Sequence, residues 1–106
     1  MINSRLEMLL GLWDEHMPDS FVLFAIAKEY EALGNSPAAI SHYEKLRQID
    51  PDYTGLYYHL AAIYAEEGKA EKALECYDEG IAIASRQGDQ HAKSELMNAR
   101  QNFLIA

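Results

Sequence analysis

The sequence has a single cysteine and few basic residues, and each shortage excludes a class of function. One cysteine, Cys76, permits neither an internal disulfide framework nor a zinc site built from several thiolates. Nine lysines and arginines stand against 17 acids, which gives a net charge of −8. A chain this acidic repels phosphate backbones and anionic lipids. We therefore expect no nucleic-acid partner and no membrane partner.

Long apolar runs are also missing. The most apolar early stretch, 6–13, has Glu7 inside it, and no small-residue cleavage site follows. Nothing approaches the roughly 20 apolar residues of a membrane helix. We expect a soluble, cytoplasmic protein, and its 106 residues suffice for one domain with its own core.

The sequence contains an internal repeat. A shift of 34 residues places segment 20–51 over segment 54–85. The identical pairs are Ala27/Ala61, Tyr30/Tyr64, Gly34/Gly68, Ala39/Ala73, Tyr43/Tyr77 and Ile49/Ile83. Apart from the isoleucine pair, these are small residues, aromatics and a glycine, which are the types that fix how helices pack.

Each segment predicts a pair of helices. The stripe of the first helix is Leu23, Ile26, Ala27 and Tyr30, and its counterpart is Tyr57, Leu60, Ala61 and Tyr64. Gly34 ends the first helix, and Ser36 is expected to cap the next one with Pro37 in its first position. No stretch alternates apolar and polar residues as a strand would.

Small residues are expected where the helices cross. The alanines in question are Ala27, Ala39, Ala61 and Ala73. Gly80 lies inside a predicted helix, where glycine costs roughly 1 kcal/mol relative to alanine. It predicts a contact so close that a methyl group would be unwelcome there.

The chain resembles the tetratricopeptide repeat family, and its segment 50–60 is similar to small bacterial proteins of that family. The family pattern W-x2-L-G-x2-Y…A-x3-F…P is matched by Leu23-x2-Ile26-Ala27-x2-Tyr30, Ala39-x3-Tyr43 and Pro51, and again by Tyr57-x2-Leu60-Ala61-x2-Tyr64 and Ala73-x3-Tyr77. Ser85 replaces the second proline, which predicts that the last repeat helix continues toward Gln87. The resemblance implies an all-α fold, a right-handed superhelix of two helix hairpins.

Two further helices are expected to close the repeats. Ser4-x-x-Glu7 resembles a capping box that opens a helix with a stripe of Leu6, Leu9, Leu10 and Trp13. Asp89 can cap a final helix with a stripe of Ala92, Leu96, Ala99 and Phe103. We therefore predict one domain, 1–106, composed of an N-terminal capping helix at 4–16, repeats at 20–53 and 54–87, and a C-terminal capping helix at 89–105.

Residues for catalysis are not apparent, so we expect no enzyme, no cofactor and no metal. The acids at 66–79 are typical of a solvated helix face. Four histidines, His16, His42, His59 and His91, stand on four different elements without ligand spacing. His42 and Cys76 occupy equivalent repeat positions, and a packed polar residue and a buried thiol explain them better than a metal site does.

The family resemblance implies that the protein acts by binding a partner on its surface. In the family, the first helix of each repeat lines a concave groove that binds peptides or partner helices. The positions that correspond here are Phe24, Lys28, Glu31, Tyr58, His59 and Ala62. Aromatic side chains with a few polar neighbours suit recognition, although a capping helix over Phe24 or Tyr58 would leave no open groove. The acidic balance favours a basic or apolar partner.

An alternative function is structural. Two repeats are fewer than a solenoid usually needs, and self-association can supply the missing neighbour. On this alternative the chain is a homo-oligomeric or accessory subunit that uses an apolar flank, whereas on the favoured one it is a protein-binding adaptor or scaffold.

Overall fold

The computed structural model describes residues 3–106, and residues 1 and 2 of the predicted domain lie outside them. Six α-helices follow one another: α1 (Ser4–Leu12), α2 (Ser20–Ala32), α3 (Ser36–Ile49), α4 (Gly55–Glu66), α5 (Ala70–Gln87) and α6 (Gln90–Ile105). Residues 3–106 contain no strand, which confirms the all-α prediction. The helices form two compact units, the first ending at Tyr53 and the second spanning Thr54–Ala106. Their grouping into one domain stays a prediction.

Asparagine and aspartate side chains open most of these helices. Asn3 accepts a hydrogen bond from the Leu6 amide at 2.7 Å, and Asn35 accepts one from the Ala38 amide at 3.2 Å. The sequence prediction that Ser4 and Ser36 are the caps was therefore wrong by one residue in each case. The cap must itself lie outside the helix with its oxygen aimed at the free amides, and both serines are already helical. Asp89 caps α6 as predicted.

Glycine ends the first helix of each hairpin and also α5. Gly34, Gly68 and Gly88 have φ of 77°, 76° and 71°, a left-handed conformation that costs glycine little. After Gly34, the Asn35 amide donates to the Tyr30 carbonyl at 2.9 Å, which closes a Schellman turn. The continuation of α5 to Gln87 confirms the inference drawn from Ser85.

The first helix is shorter than its predicted span of 4–16. It ends at Leu12 because Trp13 adopts an extended conformation, with φ −73° and ψ 130°. Asp14 then accepts a hydrogen bond from the His16 amide at 2.9 Å, so the chain turns here instead of continuing the helix.

The first unit packs α2 against α3 and α1 against α2. Ala27 and Ala39 are fully buried, as a close helix crossing requires. Leu6 and Leu9 of α1 cluster with Ile26 of α2. The N-terminal helix thus covers one side of the first hairpin.

The second unit packs α5 against both α4 and α6. Ala61 and Ala73 are fully buried. A Cβ atom added at Gly80 would lie 2.7 Å from Cβ of Tyr57 and 3.1 Å from Cδ1 of Leu96. The absence of a side chain at Gly80 is therefore what lets α4 and α6 approach α5 at this point.

The remaining repeat positions follow the same division. Buried ones are Leu23, Ile26, Tyr43, Tyr57, Leu60, Tyr64 and Tyr77, whereas Tyr30 is half-buried and Gly34, Pro51 and Gly68 are exposed. The exposed three lie at turns, where their backbone preferences matter more than burial.

Candidate functional site

The outer face of α2 carries large apolar side chains away from the core. Phe21, Phe24 and Lys28 follow the spacing i, i+3, i+7, which places them on one side of the helix. Phe21 is 69% exposed, although a phenylalanine side chain usually lies inside a protein. This face is the strongest candidate for recognition in the first unit.

A cleft of about 280 Å³ lies on this face. It is lined by Arg5, Phe21, Phe24, Ala25, Lys28, Glu29 and Ala32. Ala25 and Ala32 have short side chains, which leave room between the longer ones. Of the lining residues, six belong to α2 and one, Arg5, belongs to α1.

Ionic contacts hold the α1 side of the cleft in place. Nε of Arg5 lies 3.1 Å from Oε2 of Glu29, and Nδ2 of Asn3 donates to Oε1 of the same carboxylate at 3.4 Å. Arg5 is largely exposed, so this ion pair contributes little to stability. Its effect is to position the Arg5 side chain along the cleft.

Phe24 has a mixed role. Its ring centroid lies 5.1 Å from that of Tyr53 and 6.0 Å from that of Tyr43, so part of the ring belongs to the packing of the first unit. The Lys28 ammonium sits 5.5 Å from the centroid of the same ring, in the range of a cation–π contact. Phe24 is therefore half-buried: its ring packs on tyrosines and also lines the cleft.

Glu31, also predicted to line the groove, instead ties α2 to α3. Its Oε1 accepts a hydrogen bond of 2.7 Å from the Tyr43 hydroxyl. Burial, together with this bond to a carboxylate, raises the pKa of Tyr43 far above its usual range. Glu31 is not among the residues that line the cleft.

The corresponding positions on α4 belong to the second unit. Tyr58 is 37% exposed, and His59 contacts it edge to face with 5.7 Å between ring centroids. Ala62, one turn further, is half-buried. Tyr58 and its counterpart Phe24 thus both present aromatic surface from the first helix of their hairpins.

Sequence reasoning missed Phe21, Arg5, Ala25, Glu29 and Ala32. Phe21 was detectable, because it stands three residues before Phe24 and seven before Lys28 on the same helix face. Arg5 was not, since its position depends on how α1 packs against α2.

The candidate metal-binding residues are not gathered together. Between Asn3 and Ala106, no group of three or more His, Cys, Asp or Glu side chains is arranged to hold a metal ion. Nδ1 of His42 lies 2.8 Å from the Ala38 carbonyl oxygen, and Cys76 is buried. Over the same residues, no helix is both long enough and apolar enough to cross a bilayer.

The family is established by comparison with known proteins. A tetratricopeptide repeat model matches residues 31–94, which is more than half of the chain. The protein therefore belongs to the tetratricopeptide repeat family, a fold that generally mediates protein–protein interaction and is typically not enzymatic.

Relatives of known sequence carry the same repeat. The TPR repeat-containing protein YpiA of Bacillus subtilis is 36% identical over 64 residues, which is 60% of this chain but only 15% of that protein. The TPR repeat-containing protein PA0015 of Pseudomonas aeruginosa is 24% identical over 96 residues, covering 91% of this chain and 89% of its own length.

Two solved structures are similar in fold. A tetratricopeptide repeat domain protein from Salinibacter ruber superimposes with a TM-score of 0.77 at 35% identity, covering 80% of this chain and 94% of its own. A Bordetella parapertussis protein solved in solution gives a TM-score of 0.80 at 23% identity, covering 99% of this chain and 90% of its own. The second likeness concerns the fold alone.

Proposed function

We propose that this protein is a non-catalytic interaction module that binds a peptide or a partner helix through the outer face of α2, with the outer face of α4 as a separate candidate surface. The observation that supports this most directly is the cleft on α2, with Phe21 exposed beside it. Exposed aromatic side chains around a concave surface are typical of recognition sites. Family membership points in the same direction.

The chemistry of the cleft favours an apolar side chain as the anchor of the bound segment. Apolar surface is supplied by Phe21, Phe24, Ala25 and Ala32. The charges of Arg5 and Glu29 neutralise each other in an ion pair. The chain as a whole has a net charge of −8, which attracts basic residues on either side of such an anchor. The proposed partner is therefore an apolar segment, with basic residues favoured around it, and the proposed location is the cytoplasm.

Selection from a peptide library tests the proposal. Random peptides displayed on phage would be selected on the wild-type chain, and their affinities measured by fluorescence polarisation. We expect the selected peptides to contain a large apolar residue. Phe21→Ala should weaken their binding by about tenfold or more, because a truncated aromatic anchor typically costs 1–2 kcal/mol or more.

Phe21 is a better test position than Phe24, whose removal would also disturb Tyr43 and Tyr53. Met17→Ala is the matched control, since Met17 is 76% exposed in the turn before α2 and does not line the cleft. Equal affinity of the wild type and Phe21→Ala for every selected peptide would remove the α2 face as the binding site. Tyr58→Ala tests the α4 face in the same assay.

A further inference from the structure

The last helix, α6, exposes large apolar side chains outside its packed face. Leu96 is buried and Phe103 half-buried, with the Phe103 ring centroid 6.3 Å from that of Tyr77. On the outer side, Met97 and Leu104 are each 50% exposed and Ile105 is 71% exposed. A helix that only closed the second unit would need apolar residues on one side alone.

The exposed residues form a straight, uncharged stripe. Its members, which we call the α6 stripe, are Gln90, Ser94, Met97, Gln101, Leu104 and Ile105. The first five alternate steps of four and three residues, the spacing that keeps one seam facing a neighbouring helix. No member is charged, in a chain that has 17 acidic residues.

The charged neighbours on one side of the stripe are basic. Nε of Arg100 lies 2.7 Å from Oδ1 of Asp78, and Nζ of Lys93 lies 3.5 Å from Oγ of Ser85. Both contacts link α6 to α5, so these side chains are directed toward the packed side of the helix. The stripe itself therefore presents no charged side chain to an approaching surface.

This charge distribution points to a particular occupant. In a two-fold dimer, the same patch of each copy faces itself, so a patch rich in acids would lie against an equally acidic patch. The exposed acids of α5, such as Glu71 and Glu75, would repel one another in this way. The α6 stripe avoids that repulsion.

We propose that two copies of this chain pair through residues 97–105 of their α6 stripes, with the two helices antiparallel. Gln101 lies four residues after Met97 and three to four residues before Leu104 and Ile105, so it is the natural centre of such a pair. With the two-fold axis at Gln101, Met97 of each copy packs against Leu104 and Ile105 of the other. The two Gln101 amides meet at the axis, where each can donate to and accept from the other.

Sedimentation equilibrium of the full chain tests this proposal over protein concentrations from about 10 µM to about 1 mM, because a short helical seam associates weakly. The average mass should rise from the 12.0 kDa of the monomer toward twice that value. Added salt should strengthen association, since it screens the repulsion between two chains of charge −8. Met97→Glu should weaken association at least about tenfold by placing a carboxylate in an apolar contact.

Met8→Glu is the matched control, since Met8 is 61% exposed on α1, outside the stripe. It should associate as the wild type does, and both variants should keep the wild-type circular dichroism spectrum. Wild-type chains that stay monomeric throughout would overturn the proposal in favour of a different protein on this face. Equal association of Met97→Glu and wild type would overturn it too.

Cysteine cross-linking tests the antiparallel geometry separately. With diamide as oxidant, Gln101→Cys should give a disulfide-linked dimer, since the two thiols would meet at the axis. Ser94→Cys should not, because seven residues of helix on each side place its two copies about 21 Å apart. Native Cys76 is buried and does not compete. Efficient cross-linking through Ser94→Cys but not Gln101→Cys would overturn the antiparallel pairing. None of these substitutions touches the cleft on α2, so the dimer and the peptide-binding proposal fail independently.

Discussion

The two repeat hairpins share one template and use it differently. In α2 three residues are buried, whereas α4 buries six, namely Leu56, Tyr57, Leu60, Ala61, Ile63 and Tyr64. Where α2 has the half-buried Glu29, the equivalent residue of α4 is Ile63, which is 4% exposed. Where α2 has the exposed Phe21, α4 has Gly55. In the first repeat, α2 thus exposes aromatic and charged side chains. In the second repeat, more residues of α4 are buried.

The hairpin cores also differ in how they divide volume between their helices. In the first, Leu23 stands on α2 and Leu46 on α3, and both are buried. At the equivalent positions of the second, Tyr57 stands on α4 and Gly80 on α5, and Cβ of Tyr57 fills the space that a side chain at Gly80 would need. In the second hairpin, close packing therefore depends on a glycine next to a large residue, and not on the residue types found at these positions in the first.

The largest expected effect comes from truncating one leucine of the first pair. Leu46→Ala should lower the free energy of unfolding by about 2–5 kcal/mol, because Leu46 is fully buried and the substitution leaves a cavity that neighbouring side chains fill only in part. Urea unfolding followed by circular dichroism measures the loss. A loss below 1 kcal/mol would mean that the first hairpin relaxes around the gap. Its close packing would then not depend on the volume of the Leu46 side chain.

Adding volume to the second pair should have a smaller effect. Gly80→Ala gains about 1 kcal/mol of helix propensity, yet its methyl group would lie 2.7 Å from Cβ of Tyr57. Overpacking typically costs about 1–3 kcal/mol, so we expect net destabilisation in the same urea experiment.

Gly11→Ala is the matched control for that substitution. Nothing lies within 4 Å of the added Cβ at Gly11, which is also helical, so the variant should be slightly stabilised. Stabilisation by both substitutions would show that Gly80 is not required for close packing.

The smallest effect concerns the two tyrosine hydroxyls. Tyr43 donates to Glu31 at 2.7 Å in the first hairpin, and Tyr57 donates to Glu79 at 3.0 Å in the second. Each Tyr→Phe substitution should cost about 0.5–1.5 kcal/mol at pH 7. Because burial and Glu31 raise the pKa of Tyr43, only the unfolded chain ionises this phenol just above its ordinary pKa near 10.

Stability from the protonated Tyr43 is therefore complete below pH 10 and decreases as the pH rises toward the higher folded-state pKa. Thermal unfolding between pH 8 and pH 11 should show a steeper decline for the wild type than for Tyr43→Phe. Parallel declines would mean that Tyr43 makes no such contribution.

Periodicity and turn residues predicted all six helices, because their apolar stripes and breakers lie close together in sequence. The exact ends of the helices were predicted less accurately. Asn3 and Ser4 are both good capping residues, and only the backbone conformation selects Asn3. The early end of α1 depends on the turn at Trp13 and Asp14. In that turn, the Trp13 indole donates a hydrogen bond to Glu15 at 2.8 Å, and Lys45 of α3 donates to the same carboxylate.

The candidate site was predicted in part. Helix position alone places Phe24 and Lys28 on the outer side of α2, and the structure brings them together around one ring. Helix position did not show that Phe24 also packs on Tyr53, which follows it by 29 residues, or that Glu31 is engaged by Tyr43. Those contacts link different segments of the chain, so no local pattern records them.

The sequence by itself determined the repeated hairpin, because helix periodicity, glycine breaks and small residues at crossings are properties of short segments. Only the tertiary structure decided which faces of those helices remain exposed. Burial of an outer face depends on what α1 and α6 cover, and that cover is set by contacts such as Arg5 with Glu29 and Leu96 with Gly80. Function in this family depends on exposed surface, so it is determined by those distant contacts.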